Sequence, residues 1–186
     1  MKSFKTKQQL RGYIASLKKE YTNTVFRNLS ECILDRLEAT EWFRQAHCIA
    51  AYHSIPGEVY TAGFIDKWHL QKQWLLPVVE GADLRLLPYR GSGQMKAGAF
   101  GILEPDATID PVPDSRIDLI IVPGIAFDRS FNRLGRGKGY YDRLLSTLTV
   151  PKIGICFDFQ LFDSIPAEPF DKKMDMIITE KEVIYL

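Results

Sequence analysis

The residues best suited to chemistry are Arg136 and Lys138, interleaved with Gly135, Gly137 and Gly139. Glycines at alternate positions leave backbone N–H groups uncovered, and the two cations add charge to the same turn. Together these are the components of an anion site. Arg133 and Arg143 flank the run, and such a dense cluster of positive charge points to phosphate. Asp142 follows Lys138 by four residues. In the first turn of a helix it complements the helix dipole or pairs with a neighbouring cation. Facing a polyphosphate it would instead hold Mg²⁺, which takes one or two carboxylates together with phosphate oxygens. The residues alone leave both readings open.

The run matches none of the common phosphate-loop templates. The third glycine of a dinucleotide fingerprint would fall on Tyr140. A Walker loop would need Ser or Thr where Gly139 stands and a leading glycine where Asn132 stands. A kinase glycine loop would be followed by a Val-Ala-Ile-Lys strand, which is missing.

The chain around this run is that of an ordinary globular protein. Its 186 residues suit one domain, spanning 1–186, with a core large enough to fold without staples. Hydrophobic residues make up 46% and charged residues 25%, and the net charge of +1 argues against nucleic acid or an acidic membrane surface as partner. Any anion site must therefore be local. Apolar runs fall far short of the ~20 residues a membrane span needs. The basic start, Lys2 to Lys7, has no apolar stretch behind it, so no secretory leader is expected. Cys32, Cys48 and Cys156 are widely spaced within apolar patterns, which predicts three small buried hydrophobes in a reducing cytoplasm. His47, His53 and His69 form no metal-ligand spacing.

Periodicity supplies the elements that must hold the glycine run in place. Asp118 to Val122 reads as a buried strand stopped by Pro123-Gly124, and Tyr141, Leu144, Leu145 and Leu148 repeat as a helix behind the glycines. A first amphipathic helix is predicted over 3–21, with Leu10, Tyr13, Ile14, Leu17 and Tyr21 inward and Lys5, Lys7, Arg11 and Lys18 on a solvated face. A second covers 28–43, with Leu29, Ile33, Leu34 and Leu37 inward. His47 to Tyr52 is a buried strand, after which Glu58 opens another helical pattern through Trp68. Glu58 either favours that helix dipole or contacts a ligand, since it lies just past the end of a parallel strand. Strands at 74–79 and 84–89 are joined by a turn, residues 90–115 are irregular, and further strands fall at 152–157, 176–179 and 183–185. Strands alternating with helices predict an α/β layered sandwich around a largely parallel sheet.

The stretch Val122 to Asp128, with Arg133-Leu134-Gly135-Arg136-Gly137-Lys138-Gly139-Tyr140-Tyr141-Asp142, resembles the 5-formyltetrahydrofolate cyclo-ligase family, also called 5,10-methenyltetrahydrofolate synthetases. Weaker matches lie at 7–11, 58–61, 100–105 and 171–175. The resemblance implies a fold similar to the sugar-phosphate isomerase and CoA-transferase group. It also implies an enzyme, a ligase of one-carbon metabolism, that uses ATP and Mg²⁺ to cyclise 5-formyltetrahydrofolate to 5,10-methenyltetrahydrofolate, releasing ADP and phosphate. ATP phosphorylates the formyl oxygen, and folate nitrogen-10 attacks the resulting iminium phosphate.

On this resemblance, Lys7, Gln8, Gln9, Leu10 and Arg11 grip ATP together with Arg133, Leu134, Gly135, Arg136, Gly137, Lys138, Gly139, Tyr140 and Tyr141. Arg136 and Lys138 are the catalytic pair. His53, Glu58 and the loop Gly135 to Tyr140 face folate, with Glu58 on the pterin, and Asp142 and Asp171 hold the metal. Trp68, Trp74 and Phe100 are aromatic residues of a kind that stacks on pterins, although core packing is their commoner use. Partners are the two small molecules, and the chain acts as a monomer. A competing reading is a non-catalytic protein that binds nucleotide, sugar phosphate or folate in the same loop. An isomerase would need a general base, for which Asp128 and Glu104 are the candidates.

Overall fold

The structure is a computed structural model describing residues 4–98, 103–106, 108 and 110–186. Among these residues a seven-stranded sheet runs in the order β12-β11-β9-β6-β1-β2-β3. Its parallel centre comprises β1 (Cys48–Ala50), β2 (Gln73–Glu80), β6 (Leu119–Val122), β9 (Lys152–Ile155) and β11 (Met176–Ile178). At the edges, β3 (Asp83–Pro88) and β12 (Val183–Tyr185) pair antiparallel. The mixed α/β layering expected from the sequence is therefore present. From β1 the chain moves one way to β2, and from the adjacent β6 it moves the other way to β9. The crevice between the ends of β1 and β6 is thus a topological switch point, where open α/β sheets place ligands.

Both sheet faces are covered, which explains the unbroken apolar runs of the central strands. Ile49, Trp74, Leu119, Ile121, Ile153 and Met176 pack with Ile33 and Leu37 of α2 (Asn23–Ala39), Phe43 of α3 (Glu41–Gln45) and Ile65 of α4 (Ala62–Trp68). On the other face, Ala50, Leu75, Ile120, Val122 and Ile177 meet Leu144 and Leu145 of α5 (Tyr140–Thr147). A small sheet of β7 (Ala126–Asp128), β8 (Arg133–Leu134) and β10 (Leu161–Phe162) lies beside them. Helix α1 (Lys7–Lys18) packs on this small sheet through Leu10, Ile14, Ala126, Leu134 and Ile165. The helix is shorter than the span 3–21, because Thr6 accepts a hydrogen bond from the Gln9 N–H at 3.2 Å and caps it there.

Other boundaries also differ from the periodic reading for identifiable reasons. Thr40 divides the span 28–43, donating to the Leu37 carbonyl at 2.7 Å and accepting from Phe43 N–H at 3.2 Å. It ends one helix and starts the next. Glu58 does not open a helix, since α4 begins at Ala62. Residues 54–61 form a loop cross-tied by Ser54 and Thr61, each side-chain oxygen accepting from the other residue's N–H at 3.1 Å. The irregular segment contains a short hairpin of β4 (Met95–Ala97) and β5 (Leu103–Pro105). Cys48 and Cys156 are buried as expected, but Cys32 is exposed on α2, so it is no core residue. Trp74 is fully buried in the core, Trp68 packs at its margin, and Phe100 lies outside the described residues.

Candidate active site

A cavity of about 450 Å³ opens at the switch point, between the segment after β1, the segment after β6 and the loop from Arg133 to Asp142. A shallower depression of about 550 Å³ lies where β2 begins, lined by His69, Lys72 and Arg90. It is wide open and carries neither the glycine loop nor a buried carboxylate, so the chemistry belongs to the first cavity.

The loop takes its shape from its glycines and from what grips it. Gly137 has φ +97° and Gly139 has φ +72°, left-handed conformations that other residues enter at a cost. Gly139 occupies the N-cap of α5 and has no side-chain cap there, and the first turn of that helix forms part of the cavity lining. Behind the loop, Arg11 Nε donates to the Gly135 carbonyl at 2.9 Å, and a Cβ on Gly137 would come within 3.3 Å of the Arg11 guanidinium. At its far end, Arg143 donates to Asp83 at 2.8 Å and to the Ala82 carbonyl, tying the start of α5 to the β2–β3 turn.

Across the cavity mouth, Arg136 donates to Glu58 at 2.8 Å. The Glu58 side chain is only 13% exposed and its other oxygen accepts from Ile55 N–H, so the carboxylate is held by its turn and aimed at the loop. Arg133 is 5% exposed, bonded to Asp142 at 2.8 Å and to the Pro123 carbonyl at 3.3 Å. It braces the end of β6 against α5. His53 lines the wall after β1, and burial pushes its imidazole below the ordinary value against a smaller opposing pull from Asp66. Burial pushes the Tyr52 and Tyr141 hydroxyls well up, with Glu58 adding to the effect, so both stay neutral hydrogen-bonding groups.

The residues expected to act together fall into two groups. Arg133, Gly135 to Asp142, Glu58 and His53 line one cavity. Lys7 and Arg11 stand on the outer side of the loop, where Arg11 touches it and Lys7 pairs with Asp171 at 2.7 Å and Glu168 at 2.6 Å. Burial lowers the Lys7 pKa, but hydrogen bonds to Asp171 and Glu168 outweigh it and raise the value overall. Leu10 and Leu134 are buried core side chains, Gln9 accepts from the Lys5 N–H, and Gln8 is exposed. Asp142 and Asp171 each hold a cation, and among the described residues no contact joins them. Nor do three or more His, Cys, Asp or Glu side chains among those residues gather as a metal cluster. Asp175 secures the start of β9 instead, accepting from Lys152 N–H at 2.8 Å.

Several lining residues escaped the sequence reading. Pro77 and Val79 of β2 form an apolar wall with Leu84, Leu103 and Ile125; Glu104 of β5, named from the sequence as a candidate base, is a buried carboxylate in the same lining. Pro77 and Val79 are two apart on one strand face yet only partly buried. An apolar pair lacking an obvious cover was the available signal. Lys18, three turns beyond Lys7, was also missed. Burial lowers its pKa, and it lies within electrostatic reach of Glu58 and Arg136.

Fold and site together define an α/β protein with an anion-accepting, partly apolar cavity at its switch point. Residues 3–180 match the model of the 5-formyltetrahydrofolate cyclo-ligase family, and the chain belongs to that family. It is 33% identical over 146 residues to the 5-formyltetrahydrofolate cyclo-ligase of Escherichia coli K12, covering 74% of this chain and 80% of that one. It is 32% identical over 189 residues to the enzyme of the same name from Mycolicibacterium smegmatis, covering 97% and 96%. Among solved structures, it resembles Aquifex aeolicus 5,10-methenyltetrahydrofolate synthetase with a TM-score of 0.88 at 35% identity, over 96% of this chain and 92% of that one. The Mycoplasma pneumoniae synthetase aligns with a TM-score of 0.75 at 27% identity, over 94% and 98%.

Proposed function

We propose that the chain closes the imidazoline ring of 5-formyltetrahydrofolate in an ATP-driven reaction, giving 5,10-methenyltetrahydrofolate, ADP and phosphate. One observation carries the reading: the loop Gly135 to Gly139 lines an apolar cavity on one side and is gripped by Arg11 of a cationic helix on the other. A single loop can therefore meet a folate and a nucleotide at once.

The formyl oxygen attacks the γ-phosphorus, an O–P bond forms, and the bond to the β-phosphate oxygen breaks as ADP leaves. Arg136, Lys138 and the backbone N–H groups at the start of α5 neutralise the migrating phosphoryl, which is the main task in such a transfer. Nitrogen-10 then attacks the activated carbon and loses its proton, and nitrogen-5 expels phosphate. The protein needs no nucleophile of its own. Glu58 accepts from the pterin ring N–H groups once folate displaces Arg136 from it. Arg136, 58% exposed, regains water on parting, and the pterin N–H groups take its place at the enclosed Glu58. Folate entry thus frees the cation that the phosphoryl group requires.

The donor set fits magnesium that arrives with the nucleotide. The Asp142 side chain is 27% exposed at the cavity edge and uses one oxygen on Arg133, which leaves the other for a cation shared with phosphate oxygens. Magnesium would supply charge neutralisation between the β- and γ-phosphates. Asp171 fits less directly, since both its oxygens bond Lys7 and one also accepts from Glu168 N–H. Its contacts make it the group that holds Lys7 toward the phosphates.

The isomerase alternative loses one of its two candidate bases, Asp128, and keeps only Glu104 in the cavity lining. Asp128 is fully buried and accepts from the N–H groups of Ser130, Asn132 and Ile165 and from the Asn132 amide, which commits it to shaping a turn. The decisive assay incubates purified protein with Mg-ATP and 5-formyltetrahydrofolate, following methenyl absorbance and ADP together. Both should rise in equal amounts. Binding of either substrate without product would leave a sequestering protein in place of an enzyme.

A further inference from the structure

Outside the cavity, the cationic face of α1 ends against an aromatic ring. Phe170 is 65% exposed, and its ring centroid lies 5.6 Å from Lys7 Nζ. The turn presenting it is not slack. Asp171 N–H donates to the Glu168 carbonyl at 3.0 Å, Glu168 N–H donates to the Asp171 carboxylate at 2.8 Å, and Lys7 bonds both acids. With the Asp171 side chain only 6% exposed, the turn is anchored while its aromatic residue points outward. An aromatic ring held on a braced turn, with the Lys7 ammonium over it, offers a fixed stacking surface to a planar ligand.

The neighbouring groups say which occupant. From the ring the surface runs to Lys7, then one helical turn of about 5.4 Å to Arg11, then to the Gly135 carbonyl and Gly137, and so to Arg136 and Lys138 at the cavity. An aromatic face, two cations and an N–H-rich basic loop follow in the order of base, inner phosphates and terminal phosphate on a nucleoside triphosphate. We propose that Phe170 is the stacking platform for the nucleobase, with Lys7 and Arg11 on the inner phosphates. This rests on the functional reading above for the direction in which the nucleotide lies. Asp171 then has a second role, since the carboxylate that pins Lys7 also fixes the ring beside it.

The test titrates Mg-ADP and Mg-tripolyphosphate into the full chain by calorimetry, as wild type, Phe170→Ala and Phe170→Trp. Phe170→Ala should weaken ADP about tenfold, the scale of one lost base-stacking contact. It should leave tripolyphosphate unchanged, which also shows that the variant is folded, and Phe170→Trp should restore ADP binding with quenching of the new indole. Equal ADP binding by Phe170→Ala and wild type overturns the proposal. So does equal loss of both ligands, which would mean the ring only props Lys7, and so does absence of ADP binding by wild type. Turnover separates the two readings. An active wild type whose ATP KM is unmoved by Phe170→Ala defeats the platform alone. An inactive wild type whose ADP affinity falls in Phe170→Ala defeats the reaction alone.

Discussion

At the scale of single residues, the site divides labour between groups that differ in exposure. Glu58 is nearly enclosed and fixed by its own turn, whereas Arg136, its partner, is mostly in water. In the proposed reaction the enclosed member sets position and the exposed member moves. Glu58→Gln keeps the shape but removes the charge, and a lost charge-assisted hydrogen bond of about 1.5–3 kcal/mol corresponds to roughly a ten- to hundredfold rise in folate KM. The ATP KM should change little, and a rise confined to ATP would place Glu58 on the wrong substrate. Lys138→Ala addresses the other side. Removing one cation from a preorganised anion site lowers kcat by about a hundredfold or more, while equilibrium folate binding should hold. Equal losses of folate affinity and rate would show that the loop cannot be divided in this way.

At the scale of elements, the loop works because α1, β6 and α5 hold its three corners. Gly137 sits at the tightest of these, with a left-handed backbone and the Arg11 guanidinium where a side chain would begin. Gly137→Ala should therefore lower activity through ATP KM and lower the melting temperature, because strain of about 1 kcal/mol or more adds to a displaced Arg11. A variant as stable and active as wild type would mean that the loop is free to reshape. The same elements show how far sequence reading reached. The central strands were legible because burial on both faces writes unbroken apolar runs, and α5 because its apolar residues recur at helical spacing. The strands β7, β8 and β10 were not, being two or three residues long and shaped by Asp128, which ties its own turn at Ser130 and Asn132 to the distant Ile165. Glu58 was read into a helix because Thr61 and Phe64 fit the period. The Ser54–Thr61 tie that overrides it is a reciprocal side-chain-to-backbone pairing across seven residues, invisible to periodicity. The glycine loop was recognisable by composition, whereas the apolar wall of Pro77 and Val79 exists only once β2 lies beside the loop.

At the scale of the whole molecule, burial of His53 couples the site to overall stability. Its folded pKa is depressed, while the unfolded chain takes up that proton near pH 6.5. Above that value His53 is neutral in both states and contributes no pH dependence. As pH falls below about 6.5 toward the folded value, the unfolded state binds the extra proton and stability declines. Denaturant melts at stepped pH should show this slope in the wild type and a shallower one in His53→Asn. Matching slopes would place the linkage in other groups. A further consequence follows from where α1 docks. Its apolar face meets Ala126, Leu134 and Ile165, and its Lys7 meets Glu168 and Asp171. Helix α1 thus depends on segments far along the chain before its partners exist. Until Ala126, Leu134 and Ile165 are in place, Leu10 and Ile14 remain uncovered, a non-local pairing of the kind that forms slowly.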